Sequence, residues 1–264
     1  MNDAVLLRER HGSVLMLTFN RPAKLNAFDT ALTDALLDAL DDVAGDRTVR
    51  VILLRGAGRS FSVGQDLEAF TAMQTRADSG GIADHLRRGY NAITARLRDI
   101  EKPFIALLGG VTAGFGLSLA LASDLRIAAD DAQLTLGFSK LGLIPDGGGS
   151  LFLPLLCGLG RALEVAWTSE RIDAREAHRI GLLNHVVPAA ELESSAMMLA
   201  ARLAEASPVA LALTKRAFNR ALLPHLARWL DEEATLQEEA AAAPDLREGM
   251  QAFFEKRKPV FAPR

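Results

Sequence analysis

The chain has 264 residues and 28.4 kDa, with 30 Lys and Arg against 33 Asp and Glu, a net charge of −3 and an isoelectric point near 6.0. Apolar residues make up 49%, which excludes a disordered chain and predicts one large domain, or one with an appendage, around a substantial core. A single cysteine, Cys157, excludes an internal disulfide framework and a multi-thiolate metal site, while near-neutral charge and 6% aromatics argue against a nucleic-acid surface.

The first dozen residues carry charges throughout and lack an apolar core, so they do not read as a signal peptide, and a cytoplasmic enzyme is expected. Residues 13–19 and 49–55, rich in Val, Ile and Leu, predict strands. Between them Leu32, Leu36, Leu40 and Val43 recur at helical spacing behind an Asp29/Thr30 cap. Residues 103–123 run without a charge, long enough for a membrane span. Pro103 and Gly109, Gly110, Gly114 and Gly116 punctuate that run, so it predicts a buried strand at 104–108, a glycine turn and a buried helix over about 113–122, with no membrane. Short strands follow at 124–128 and 133–136. Asp173-Ala-Arg-Glu176 has capping-box spacing and opens a helix that closes at Gly181. A strand at 183–187 precedes helical segments separated by Pro208, Pro224 and Pro244. The fold class is therefore α/β over residues 1–190, with an all-α region over 191–264.

Several chemical signatures are missing. Gly56-Ala-Gly58 follows a strand, but the sixth position is Phe61, so the dinucleotide fingerprint fails. The five histidines show no metal-ligand spacing, and no metal is expected. Gly116-Leu-Ser118-Leu-Ala120 nearly matches a nucleophile elbow, for which His178 or His185 could serve as base. The uninterrupted helix after Ser118 favours a small hydroxyl in a packed helix.

Three glycine-rich stretches remain. Residues 58–67 and 109–116 could each bring a backbone N–H to a ligand oxygen, two of which would form an oxyanion hole, or could be ordinary turns. Pro145-Asp146-Gly147 is a turn signature flanked by Leu141, Leu143, Ile144, Leu151 and Phe152. A carboxyl in such apolar surroundings has its charged form disfavoured, which moves its pKa towards general acid–base work.

Six ordered segments carry a resemblance: Asn20-Arg-Pro-Ala-Lys24-Leu-Asn26, Phe61-Ser-Val-Gly-Gln-Asp66-Leu, Gly109-Gly-Val-Thr-Ala-Gly-Phe-Gly116, Ser123-Asp124, Leu143-Ile-Pro-Asp-Gly-Gly-Gly149, and the 247–258 segment with Phe253 and Lys256. Spread from about Gly12 to Phe261, they resemble the crotonase (enoyl-CoA hydratase/isomerase) superfamily. That resemblance implies a spiral of ββα units, a helical C-terminal region that mediates trimers or dimers of trimers, acyl-CoA thioester substrates and no separate cofactor. It implies an oxyanion hole made by the amides of Gln65 and Phe115. The CoA portion would lie along Val63, Gly64, Gln65, Asp66 and Leu67, against Gly114 and near Lys24, with Phe253 and Lys256 closing the nucleotide end from a neighbouring subunit.

The departures narrow the activity. The two glutamates of typical hydratases correspond here to Ser118 and Phe138, and Glu68 stands where a basic residue is often found. Asp146 corresponds to the single catalytic acid of the 1,2-epoxyphenylacetyl-CoA isomerases, which also act as Δ3,Δ2-enoyl-CoA isomerases. An isomerase with Asp146 as acid–base is therefore expected. A hydratase or an aryl-CoA dehalogenase on the same scaffold are the alternatives, with an RNA-binding or catalytically silent member further off. Residues 70–90 are expected to line the acyl pocket, with a mobile loop at 78–81.

Overall fold

A computed structural model describes residues 4–74 and 81–262. Of the loop expected at 78–81, all but Gly81 lies outside the described residues. Among the described residues ten strands form two sheets: β1 (Leu6–His11), β2 (Val14–Phe19), β3 (Val51–Gly56), β4 (Ser60–Ser62), β5 (Phe104–Leu108), β6 (Val111–Ala113), β7 (Leu125–Ala129), β8 (Gln133–Thr135), β9 (Ile172–Asp173) and β10 (His185–Val187). The larger sheet has the order β1-β2-β3-β5-β7-β10 and the smaller β4-β6-β8-β9. All pairs are parallel except the β1–β2 and β8–β9 pairings.

The order carries a rule. Strands β3, β5 and β7 each enter the larger sheet, and the strand that follows each (β4, β6, β8) enters the smaller one before the chain turns helical. This is the expected ββα spiral. The central strands read as continuous apolar runs because both faces are covered. One face (Leu17, Phe19, Ile52, Leu54, Phe104, Ala106) joins the main core, and the alternate residues Met16, Val51, Leu53 and Ile105 meet Ala196, Ala200 and Ala204 of the helix Leu192–Glu205.

The uncharged 103–123 run resolves as β5, β6 and the helix Phe115–Ala122, whose eight residues are all buried in protein. Among the described residues no single helix is long and apolar enough to cross a membrane. Both predicted caps form: Asp29 accepts from the Leu32 amide at 2.9 Å and Asp173 from the Glu176 amide at 2.8 Å. Strand β1 has no counterpart in the sequence reading, because its Arg8, Glu9, Arg10 and His11 belong to an exposed sheet edge where charge discourages further pairing. The last predicted strand is shorter than expected, since Leu183 packs in the core and pairing begins only at His185.

Candidate active site

Two loops bring backbone amides together. The first is fixed from below by Asn26, which is fully buried and donates to the Ala57 and Ser60 carbonyls at 2.8 Å each while accepting from the Arg21 amide at 3.0 Å. Phe28 then brackets the loop, donating to the Gly64 carbonyl at 2.7 Å and accepting from the Asp66 amide at 2.8 Å. Between these anchors the Gln65 N–H meets no acceptor among the described residues. The second loop leads into the helix Phe115–Ala122, where the Phe115 N–H is likewise without an acceptor and lies at the positive end of the helix. Glycine at position 64 is obligatory for their approach. Its φ is +84°, and a Cβ there would stand 2.8 Å from the Phe115 nitrogen.

Asp146 supplies the third element. Its turn is drawn against Phe115 by Gly147, whose φ of +60° and missing Cβ leave room for the aromatic ring. The carboxyl is buried. Its Oδ2 accepts from Gln237 Nε2 at 3.2 Å, and its Oδ1 has no hydrogen-bond partner among the described residues. Burial chiefly, with the nearby Glu233 carboxylate, pushes its pKa up to about 8, against the lowering effect of the Gln237 hydrogen bond. Glu233 accepts from the Gly148 amide at 2.8 Å and from both the amide and the hydroxyl of Ser150, so its oxygens are occupied.

Aromatic packing ties the parts together. The Tyr90 ring stacks face to face on Phe115 at 3.6 Å, and its hydroxyl donates to Gln65 Oε1. His85 Nε2 lies 2.9 Å from the same oxygen, which can only accept, so Nε2 carries the proton. Burial lowers the His85 pKa and favours the neutral ring.

These groups face a cavity of about 800 Å³ whose wall includes Lys24, Val63, Gln65, Asp66, Leu67, Gly114, Phe115, Asp146, Phe253 and Lys256. Gly64 sits behind the wall, against Gly114 and Phe115. The Asp66 carboxylate is turned away to Arg21 Nη2 at 3.0 Å and caps the helix Leu67–Gln74 through the Ala69 amide at 3.2 Å. Lys24 pairs with Glu68 at 2.6 Å on the exposed rim. Phe253 and Lys256, at and just beyond the end of the helix Pro244–Phe254, line this same chain's cavity and need no neighbour to reach it.

The Ser118 elbow reading fails. Ser118 is fully buried with no hydrogen-bond partner for its hydroxyl among the described residues, whereas His178 and His185 are exposed. Among the described residues no cluster of three or more His, Cys, Asp or Glu could hold a metal. Sequence reasoning missed Gln237 and Glu233, and it reached Tyr90 and His85 only as members of the 70–90 stretch expected to line the acyl pocket, where both do line the cavity. A signal for the first two was present: Leu230, Glu233, Ala234 and Gln237 follow the i, i+3, i+4, i+7 spacing of a buried helix face, so two polar residues interrupt an apolar stripe.

A ββα spiral that gathers in the wall of one cavity two amides without an acceptor among the described residues and one buried carboxyl has the parts of an enzyme site. The chain belongs to the enoyl-CoA hydratase/isomerase family, whose model matches residues 9–264. It is 40% identical over 252 residues to the 1,2-epoxyphenylacetyl-CoA isomerase of Escherichia coli (strain K12), covering 94% of each chain. It is 34% identical over 260 residues to the short-chain-enoyl-CoA hydratase of Clostridium acetobutylicum, covering 98% of this chain and 97% of that one. The crystal structure of an enoyl-CoA hydratase from Mycobacterium avium subsp. paratuberculosis K-10 superposes with a TM-score of 0.88 at 34% identity, over 98% of this chain and 99% of that one.

Proposed function

We propose that the chain is an acyl-CoA isomerase that uses one carboxyl and no separate cofactor, acting on a 3-enoyl-CoA or on 1,2-epoxyphenylacetyl-CoA. The observation that carries this reading is the buried cavity-lining carboxyl of Asp146, whose Oδ1 has no partner among the described residues, beside the amides of Gln65 and Phe115, which there meet no acceptor. The thioester oxygen accepts from both amides. Asp146 removes an α proton, and the C–H electron pair moves into an enolate whose oxygen those amides hold. The same carboxyl returns the proton at the γ carbon as the electrons flow back, leaving the double bond between the α and β carbons. A hydratase would need a second acid–base group, and positions 118 and 138 hold a buried serine and a phenylalanine. In the epoxide case the same carboxyl assists ring opening and rearrangement.

The CoA portion would run along residues 63–67 past Gly114, with Lys24 and Lys256 as phosphate contacts and Phe253 against the nucleotide end. Assembly as a trimer or dimer of trimers is supported by exposed Val209, Leu213, Phe218 and Leu222 on the helix Pro208–Leu222.

Asp146→Asn tests the reading. Migration of the 3-enoyl-CoA double bond should fall by about 10²–10⁴-fold with CoA-ester binding retained, and undiminished turnover would refute it. A second reading, hydration, is favoured by relatives such as the Clostridium acetobutylicum hydratase. Water addition to crotonyl-CoA faster than isomerisation would establish it instead.

A further inference from the structure

We propose that Gln237 is a positioning residue that pins Oδ2 of Asp146 and thereby makes Oδ1 the oxygen that takes up and returns the proton. The proposal rests on Asp146 being the acid–base group. Gln237 clasps one residue of the turn with both ends of its amide: Oε1 accepts from the Ile144 N–H and Nε2 donates to the Ile144 carbonyl, each at 2.9 Å. This double contact fixes which end is nitrogen, because a flipped amide would set oxygen against oxygen and N–H against N–H. The second N–H of Nε2 is left for Asp146 Oδ2, at 3.2 Å.

Towards Asp146, then, Gln237 can only donate. A proton on the Oδ2 lone pair that accepts from Gln237 would be set against that N–H, whereas no donor faces Oδ1 among the described residues. In the neutral acid the proton therefore sits on Oδ1, the buried oxygen without a partner. The carboxyl needs no rotation between taking the proton and giving it back.

Glu233, one turn earlier on the helix Leu226–Ala242, acts in the opposite sense. It holds the Gly148 and Ser150 end of the turn and places a negative charge near Asp146. The ionisable groups that face Asp146 are this Glu233 and, from the helix Tyr90–Asp99, Tyr90, whose hydroxyl is committed to Gln65. Gln237 favours the ionised carboxyl and Glu233 disfavours it.

The test is the pH profile of kcat for 3-enoyl-CoA isomerisation by the full chain and two variants. Gln237→Leu should move the ascending limb to higher pH, and Glu233→Gln should move it to lower pH, each by about one unit. Loss of rate with both limbs unmoved, or movement of both in one direction, would overturn the proposal, because a merely structural role gives no opposed shifts. If Gln237→Leu does not fold, Gln237→Glu keeps the volume but replaces the donor with an acceptor. It should move the limb to higher pH, and an unmoved limb would overturn the proposal. Asp146→Asn run alongside separates the two levels: full activity there refutes the isomerase reading, whereas an inactive Asp146→Asn with unmoved limbs overturns the role of Gln237 alone.

Discussion

Asp124 and Asp146 are both carboxyls set among apolar strands and helices, yet their surroundings differ. Asp124 receives Arg98 Nη1 at 2.7 Å, Lys215 Nζ at 2.8 Å and the Phe104 amide at 2.9 Å, and Lys215 in turn donates to the carbonyls of Leu97 and Lys102. Its charge is matched and its oxygens are used. Among the described residues Asp146 receives one neutral N–H, and its Oδ1 meets no partner. The first arrangement fastens the helix Pro208–Leu222 to the start of β5 and spends its polarity on structure. The second withholds compensation, keeps the carboxyl readily protonated and leaves one buried oxygen uncommitted to any group among the described residues. At Asp146 the buried group left short of partners is an ionisable one, which is what acid–base chemistry can use.

The contrast can be broken most sharply by the same change at both positions. Asp146→Asn should abolish most isomerase activity while raising stability. A carboxyl whose pKa is raised by folding costs stability above that value and nothing below its ordinary one, so the rise in Tm should be larger at pH 9 than at pH 5. Asp124→Asn should do the reverse, losing about 3 kcal/mol in denaturant unfolding because two buried cations lose their partner, with turnover per folded molecule unchanged. Equal behaviour of the two variants would dissolve the distinction. A smaller effect is the pH dependence itself: kcat/KM should rise about tenfold per unit as pH increases towards about 8 and level off above it, because the base form is the ionised one. Smallest of all, Tyr90→Phe keeps the stack on Phe115 but removes the hydrogen bond to Gln65, and kcat should fall about fivefold, the equivalent of about 1 kcal/mol.

The amide-bearing loops were legible in the sequence because backbone chemistry at close quarters demands glycine, and Gly64, Gly114 and Gly147 announce themselves as residue types. Asp146 was legible for a related reason: its turn and apolar flanks are contiguous. The groups that tune it were not. Gln237 is 91 residues away and Glu233 lies 85 residues from Gly148, on a helix whose alanine-rich pattern gives no hint of which loop it meets. Strands β4 and β6 were hidden too, since they are three-residue strands in or beside glycine-rich stretches with no period of their own, whereas β8 was expected as the strand at 133–136.

The helix Leu226–Ala242 has a consequence in time. Glu233 and Gln237 hold the Asp146 turn, while Asp231 pairs with Arg87 at 2.6 Å and Glu238 accepts from the Ala83 amide at 2.7 Å, securing the helix Ile82–Arg88 that carries His85. Both sides of the cavity thus depend on one segment that follows every strand of both sheets in the chain. A chain that has paired every strand of both sheets still lacks its finished site until this helix docks, so competence to react arrives after the sheets have formed.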